Sequence, residues 1–444
     1  MRHFSLLLLI VTLTILQVRV FAQRSKVETS PIHDVLQSTL TAPGSTPFHL
    51  VANITEGRDR SPYAKVEMFW SATDRFARTI QSQDFNQTLV VNGTQTYEND
   101  SSDYFPIGLR TLVTDMVDPR LSLDAIHSGD SVLTKANGAV NDSGLVCSGP
   151  SGALGRMCFR DVDGLRETLG ASGHGVTFSR YSNFKGKPLA RVLTNAPRLG
   201  EDLMTLTVEK LEELKSPDPA LFQIKENTSP EKRLRFKALN EAELKESAVG
   251  SPQIIWPQPL DGSERGDASF FLSIDHSGKV REVLPLYTAN ERTNDSAVGQ
   301  LLAWKFSPAK DEGMPAQTEG VLTFKLNTRA FGPTEPLKDT DARKLASNIV
   351  EPEIPGGKYP VGTIYTLWIA VDSNGKVIEA MAGDGPHELF MPCYSALRKW
   401  SFQPIIENGQ PRPYRAQIAF LLREPLNKRA ATLADCGSDF SLRN

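Results

Sequence analysis

The chain has 444 residues, 40% hydrophobic and 23% charged, enough to bury more than one core. Its 49 basic and 52 acidic side chains leave a formal net charge of -3. That balance gives no field to condense on a phosphate backbone, so nucleic acid is not an expected partner.

Residues 1–22 read as a cleavable signal peptide. Arg2 and His3 make a short basic end, 4–16 is an uncharged run of apolar residues with Ser5, Thr12 and Thr14, and Val20-Phe21-Ala22 suits a signal peptidase. The run is shorter than the roughly 20 residues that span a bilayer. The expected location is therefore the periplasm or the exterior, with a retained N-terminal anchor as the alternative. Residues 23–47 are polar, hold Pro31, Pro43 and Pro47, and form a flexible segment with room for a short helix over 32–40.

From 48 to 214 the pattern predicts one domain of antiparallel strands: 48–54, 64–70, 75–81, 87–91 and 94–98, with Asn92-Gly93 as a tight reversal. A helix over 107–116 presents Ile107, Leu109, Leu112, Val113 and Met116 on one face and is the expected cover. After a Gly/Ser-rich loop over 129–155, strands resume at 156–159, 165–169, 175–184, 189–193 and 202–211. The expectation is a curved antiparallel sheet wrapped around the covering helix.

Residues 215–262 carry six prolines among charged residues and read as a linker with a helix possible in 231–246. Two small domains follow, 263–330 and 358–425, separated by a linker over 331–357 and trailed by a tail over 426–444. They are copies of one unit. Trp304, Phe306, Pro308, Gly313, Pro315 and Phe324 recur as Trp400, Phe402, Pro404, Gly409, Pro411 and Phe420. Asp275, Gly278, Lys279 and Val280 recur as Asp372, Gly375, Lys376 and Val377. Each copy reads strand, hairpin turn, strand, helix, strand, giving an α+β class with one helix on a small sheet.

Taken together, Asp-x-x-Gly-Lys-Val, an amphipathic helix, Trp-x-Phe-x-Pro, a Gly-x-Pro turn and a strand ending in Phe resemble the C-terminal domain of TonB, over 267–328 and 361–423. The resemblance implies a bacterial envelope protein whose sheet edge accepts a peptide strand. The candidate strands contain Thr363, Tyr365, Leu367 and Ile369, and Gln417, Ala419 and Leu421. Energy transduction is not implied, because a folded domain replaces the extended span of that family.

Residues 48–214 more weakly resemble the curved-sheet outer-membrane lipoprotein carriers, through Val66 to Trp70, the Asp74-Arg75-Phe76-Ala77-Arg78 patch, Phe85 to Gly93 and the run from Tyr181 to Leu189. The resemblance implies a cavity for acyl chains, with Met68, Trp70, Phe76, Phe85 and Met116 as lining; ordinary core packing is the competing reading of the same residues. Arg75 and Arg78 read either as a solvated face or as a contact for an acidic partner.

In an exported chain Cys147 with Cys158 and Cys393 with Cys436 are the expected disulfides, although four cysteines allow three pairings and Cys393 also reads as a buried helix residue. Catalytic signatures are missing. The seven histidines fall at no ligand spacing, Gly149-Pro150-Ser151-Gly152-Ala153 lacks the last glycine of a nucleophile elbow, Asp161-Val162-Asp163-Gly164 has no calcium ligands after it, and 170–175 lacks the Gly-Lys of a phosphate loop. No cofactor or metal is expected. The sequence reading is a non-enzymatic cell-envelope protein that binds protein partners through its tandem units, in the setting of outer-membrane transport. The alternatives are a periplasmic carrier of lipid or another hydrophobic ligand, and a secreted hydrolase.

Overall fold

The computed structural model describes residues 39–435 apart from 42–43, 58, 119–133, 136–144, 149–155, 161–163, 170–173, 198–202, 225–230, 251, 355–358 and 423–430. The signal-peptide segment and the last nine residues lie outside the described part. The chain divides into two compact units, residues 1–234 and 235–444.

The first unit is a 12-stranded sheet. Its strands are β1 (Phe48–Glu56), β2 (Ser61–Ala72), β3 (Arg75–Ser82), β4 (Asn86–Asn92), β5 (Gln95–Asp100), then helix α1 (Ile107–Val117), then β6 (Thr134–Lys135), β7 (Leu145–Ser148), β8 (Arg156–Arg160), β9 (Gly164–Leu169), β10 (His174–Phe184), β11 (Lys187–Pro197) and β12 (Met204–Glu213). Hairpins add neighbours outward in the order β5-β4-β3-β2-β1-β12-β11-β10-β9-β8-β7-β6, and β1 pairs with β12 antiparallel to join the halves.

The expected curved sheet is corrected here. The two end strands, β5 and β6, are not paired with each other, and among the described residues no sheet closes or curls strongly. Hairpin growth at both ends extends a sheet, whereas closure needs a ladder between its last strands.

One face of the sheet is dry. Along β1 the side chains of Phe48, Leu50, Ala52 and Ile54 are buried in strict alternation, the period-two signature of a half-buried strand. Helix α1 packs on β10, β11 and β12. Pro106 precedes its first turn, its Ile107 is buried, and its Leu109, Leu112, Val113 and Met116 join the core of Trp70, Val66, Phe178 and Leu206. Each such side chain contributes about 1.5–3 kcal/mol of burial.

The second unit contains β13 (Arg235–Ala238), α2 (Glu241–Ser247), β14 (Arg265–Ile274), β15 (Val280–Thr288), α3 (Asn294–Leu302), β16 (Lys310–Asp311) and β17 (Met314–Asn327). It continues with α4 (Asp339–Leu345), β18 (Ala346–Asn348), β19 (Glu353–Ile354), β20 (Ile364–Val371), β21 (Val377–Ala382), α5 (Phe390–Leu397), β22 (Ser401–Phe402), β23 (Ile405–Glu407), β24 (Gln410–Arg412), β25 (Tyr414–Leu422) and β26 (Ala431–Asp435). Its two main sheets run β13-β17-β14-β15 and β19-β26-β25-β20-β21. Because β13 lies parallel to β17, the first of them is mixed.

The copies share their internal bonds. Asp275 accepts from the amides of Ser277 and Lys279, and Asp372 accepts from those of Asn374 and Lys376, so each carboxylate closes the hairpin that its glycine turns. The Phe306 amide donates to the Gly278 carbonyl at 2.8 Å and that of Phe402 to Gly375 at 3.0 Å. Trp304 meets Phe324 edge-on at 5.8 Å, as Trp400 meets Phe420 at 5.8 Å. Trp400 is buried, with its indole N–H donating to the Val350 carbonyl at 2.8 Å, whereas Trp304 is half-buried. Each ring closes its helix onto its sheet.

Candidate functional site

An apolar cleft opens in the first unit where the C-terminal turn of α1 leaves the sheet. Leu50 from β1, Phe178 and Tyr181 from β10, Leu189 and Leu193 from β11, and Val208 and Leu211 from β12 form its floor, and Met116 and Val117 form its roof. Its volume is about 50 Å³. Leu40, 5% exposed, fills the mouth from the segment that precedes β1.

Three polar contacts tie that segment down. Lys187 Nζ donates to the Thr39 carbonyl at 3.1 Å and to Ser45 Oγ at 2.6 Å, and Thr41 Oγ1 donates to the Val117 carbonyl at 3.3 Å. Burial lowers the Lys187 ammonium below its ordinary pKa. Buried Asp115 is the acidic group in the lining. This arrangement can hold an apolar chain.

Of the five residues expected to line a cavity, Met116 lines the cleft. Met68, Trp70 and Phe85 are packed core, with Trp70 stacked on Phe48 at 5.5 Å and Phe85 on Phe105 at 4.0 Å, and Phe76 packs against that core. The lining that sequence reasoning missed, Phe178, Leu189, Leu193 and Leu211, was visible only as strand alternation, which marks a buried face without saying where it is incompletely filled. Arg78 is committed to Gln87, which donates to Glu98 and Asp100, and Asp100 in turn accepts from the Leu234 amide. Burial raises both carboxyls, so this network is a structural tie. Arg75 lies over the Phe222 ring.

The proposed partner strands are interior. β20, with Tyr365, Leu367 and Ile369 fully buried, lies between β25 and β21, and Thr363 immediately precedes it. β25, which carries Gln417, Ala419 and Leu421, lies between β20 and β26. The strands that end the sheets on that side are β15 and β21.

The expected disulfide of Cys393 is corrected. Cys393 is a free thiol, wholly buried on α5 against the sheet, and no disulfide occurs among the described residues. Burial pushes the thiol's pKa up to about 12. Cys436 and the side chains of Cys147 and Cys158 lie outside the description. Among the described residues no group of three or more His, Cys, Asp or Glu is placed to hold a metal ion, and no helix is long and apolar enough to cross a membrane.

No family model matches the chain, and no curated protein matches it. Among solved structures it is similar to a LolA superfamily protein from Nitrosomonas europaea, at 12% identity over 43% of this chain and 97% of that one, with a TM-score of 0.29. A DUF1329 family protein from Desulfovibrio piger gives 11% identity over 44% and 98%, with a TM-score of 0.28. An outer membrane lipoprotein-sorting protein domain from Vibrio parahaemolyticus gives 9% identity over 43% and 94%, with a TM-score of 0.27. The likeness to lipoprotein carriers is thus weak and distant. No family model supports the TonB resemblance of the two C-terminal copies; what stands is their shared geometry.

Proposed function

We propose that the protein is a non-enzymatic cell-envelope component whose first unit carries an apolar ligand of acyl-chain type in the cleft beneath α1. The observation that carries this reading is the lining: Leu, Phe, Val and Met side chains converge there, and Leu40 stands in for a ligand. At about 50 Å³ the closed cleft has room for a few waters. Loading therefore displaces Leu40, which is held by a few hydrogen bonds and can leave without disturbing the sheet ladders. Periplasmic carriage fits this better than partner binding through β20 and β25, whose ladders are filled.

The test is native mass spectrometry of the full chain, followed by titration with a fluorescent fatty acid. A co-purifying lipid mass, and saturable binding weakened tenfold or more by Leu189→Arg in the half-buried part of the lining, are expected. Absence of both lipid and saturable binding overturns the reading. Protein partners, on this reading, add a strand at β15 or β21, where the sheets end. Charged substitutions along β21 should then abolish cross-linking to envelope proteins.

A further inference from the structure

The two copies carry the same pair of rings and cover it differently. In the second, the Arg343 guanidinium lies over Trp400 at 5.3 Å and Phe420 at 5.8 Å, and both rings are buried, at 3% and 1% exposure. Asp339 takes the Arg343 Nε–H through its two carboxylate oxygens, at 2.9 and 3.0 Å, and the Ala419 carbonyl accepts from Nη2 at 2.6 Å. Two rings, a carboxylate and a carbonyl therefore hold one planar cation, a set that suits a guanidinium.

The first copy builds the same walls. Trp304 meets Phe324 edge-on at 5.8 Å, the separation of Trp400 from Phe420, and Glu241 accepts from the Thr323 amide as Asp339 accepts from that of Ala419. An antiparallel ladder turns a residue's N–H and C=O to the same side, so the Thr323 carbonyl faces out beside Glu241.

The occupant is what differs. Lys245 follows Glu241 by four residues, as Arg343 follows Asp339, but its exposed ammonium pairs with Glu241 Oε1 at 2.6 Å, and among the described residues no cation lies over Trp304 or Phe324. Both of these rings are half-buried. An ammonium is a compact, strongly hydrated charge with no plane to lay on a ring, so a lysine at this place keeps to solvent and leaves the indole uncovered. The Thr323 amide and Lys245 both use Glu241 Oε1, which leaves Oε2 for a guest.

We propose that Trp304, Phe324 and Glu241 form a binding site for the guanidinium of an arginine side chain on a protein partner, the group that Arg343 supplies in cis to the second copy. The guest lays its plane on the indole and donates to Glu241 Oε2 and to the Thr323 carbonyl. No bond of the fold has to open, because Lys245 keeps its place on Oε1.

The experiment uses the full chain with its tryptophans labelled for indole N–H spectra, titrated with N-acetyl-arginine amide. A saturable shift of the Trp304 signal, assigned by its loss in Trp304→Phe, is expected while the Trp400 signal stays in place. N-acetyl-lysine amide should bind several-fold more weakly. Lys245→Arg should fill the site in cis: its Trp304 signal shifts before any ligand is added, and arginine binding weakens tenfold or more. An unmoved Trp304 signal, lysine binding equal to arginine binding, or a Lys245→Arg chain that binds arginine as the natural chain does each overturns the proposal. So does tighter binding of phosphocholine at Trp304, which would make the guest a lipid headgroup.

Discussion

Gly278 is seated directly against the backbone of Phe306: a Cβ on this glycine, whose φ is +87°, would overlap the Phe306 carbonyl oxygen. Gly375, at φ +79°, stands in the same relation to Phe402. Each glycine does two jobs, turning the hairpin through the left-handed region and letting the residue after Trp-x close on the turn. Gly278→Ala and Gly375→Ala should each cost about 2–5 kcal/mol, the sum of left-handed strain and overpacking against backbone that cannot move aside. Urea unfolding of the second unit checks it. A loss below 1 kcal/mol would mean that the turn relaxes, and that the close approach is not what holds strand and helix end together.

The two indoles should not be equivalent. Trp400→Ala removes a buried ring, its bond to the Val350 carbonyl and its contact with the Arg343 guanidinium, whose centre lies 5.3 Å from the ring. The expected loss is about 3–5 kcal/mol. Trp304→Ala removes a half-buried ring and should cost less by about 1 kcal/mol or more. Paired denaturation curves of the two variants decide the order.

The tandem was legible because its signals are chemically narrow. An indole, a benzyl ring and a proline in fixed order, and a glycine that only a positive φ explains, cannot be replaced freely, so they recur as letters. The segments that lead into α2 and α4 and bond to β17 and β25 were not legible. They bond through backbone, and the positions that match in space, Glu241 with Asp339 and Lys245 with Arg343, conserve charge and not identity, which no comparison of letters detects. The first sheet shows the same limit. Alternation in β1 identified the buried face, but alternation says nothing about curvature, and the expected wrapping around α1 did not follow from it. The cleft was half-legible: Met116 belonged to a helical stripe, whereas the void beside it depends on side-chain volumes from four strands.

Cys393 should be silent toward alkylating reagents in the folded protein. Its thiolate is the reactive form, and burial pushes the thiol pKa up to about 12, so at pH 8 both access and ionisation are lacking. Peptide mapping after iodoacetamide treatment should show modification of Cys393 only at urea concentrations that unfold the second unit. Labelling of the native chain at the rate of a free thiol would place α5 in a looser packing than this.

Asp275 should give the second unit an acid limb. Burial alone would raise its pKa, but the Ser277 hydroxyl, the amides of Lys279 and Ser277 and the Arg281 guanidinium all donate to its carboxylate and hold it below the ordinary value. A carboxyl with a folded pKa below its unfolded one contributes stability that is complete above about pH 4 and is lost as pH falls through the folded value. Asp275→Ala should cost about 1.5–3 kcal/mol at pH 7, the range for hydrogen bonds to a charged acceptor. It should also shrink the difference between pH 7 and pH 3. Asp372, bonded by two amides and half-exposed, should cost less. Tryptophan fluorescence during urea unfolding at the two pH values measures both effects. An unchanged pH dependence in Asp275→Ala would move the acid sensitivity to other carboxylates of the unit.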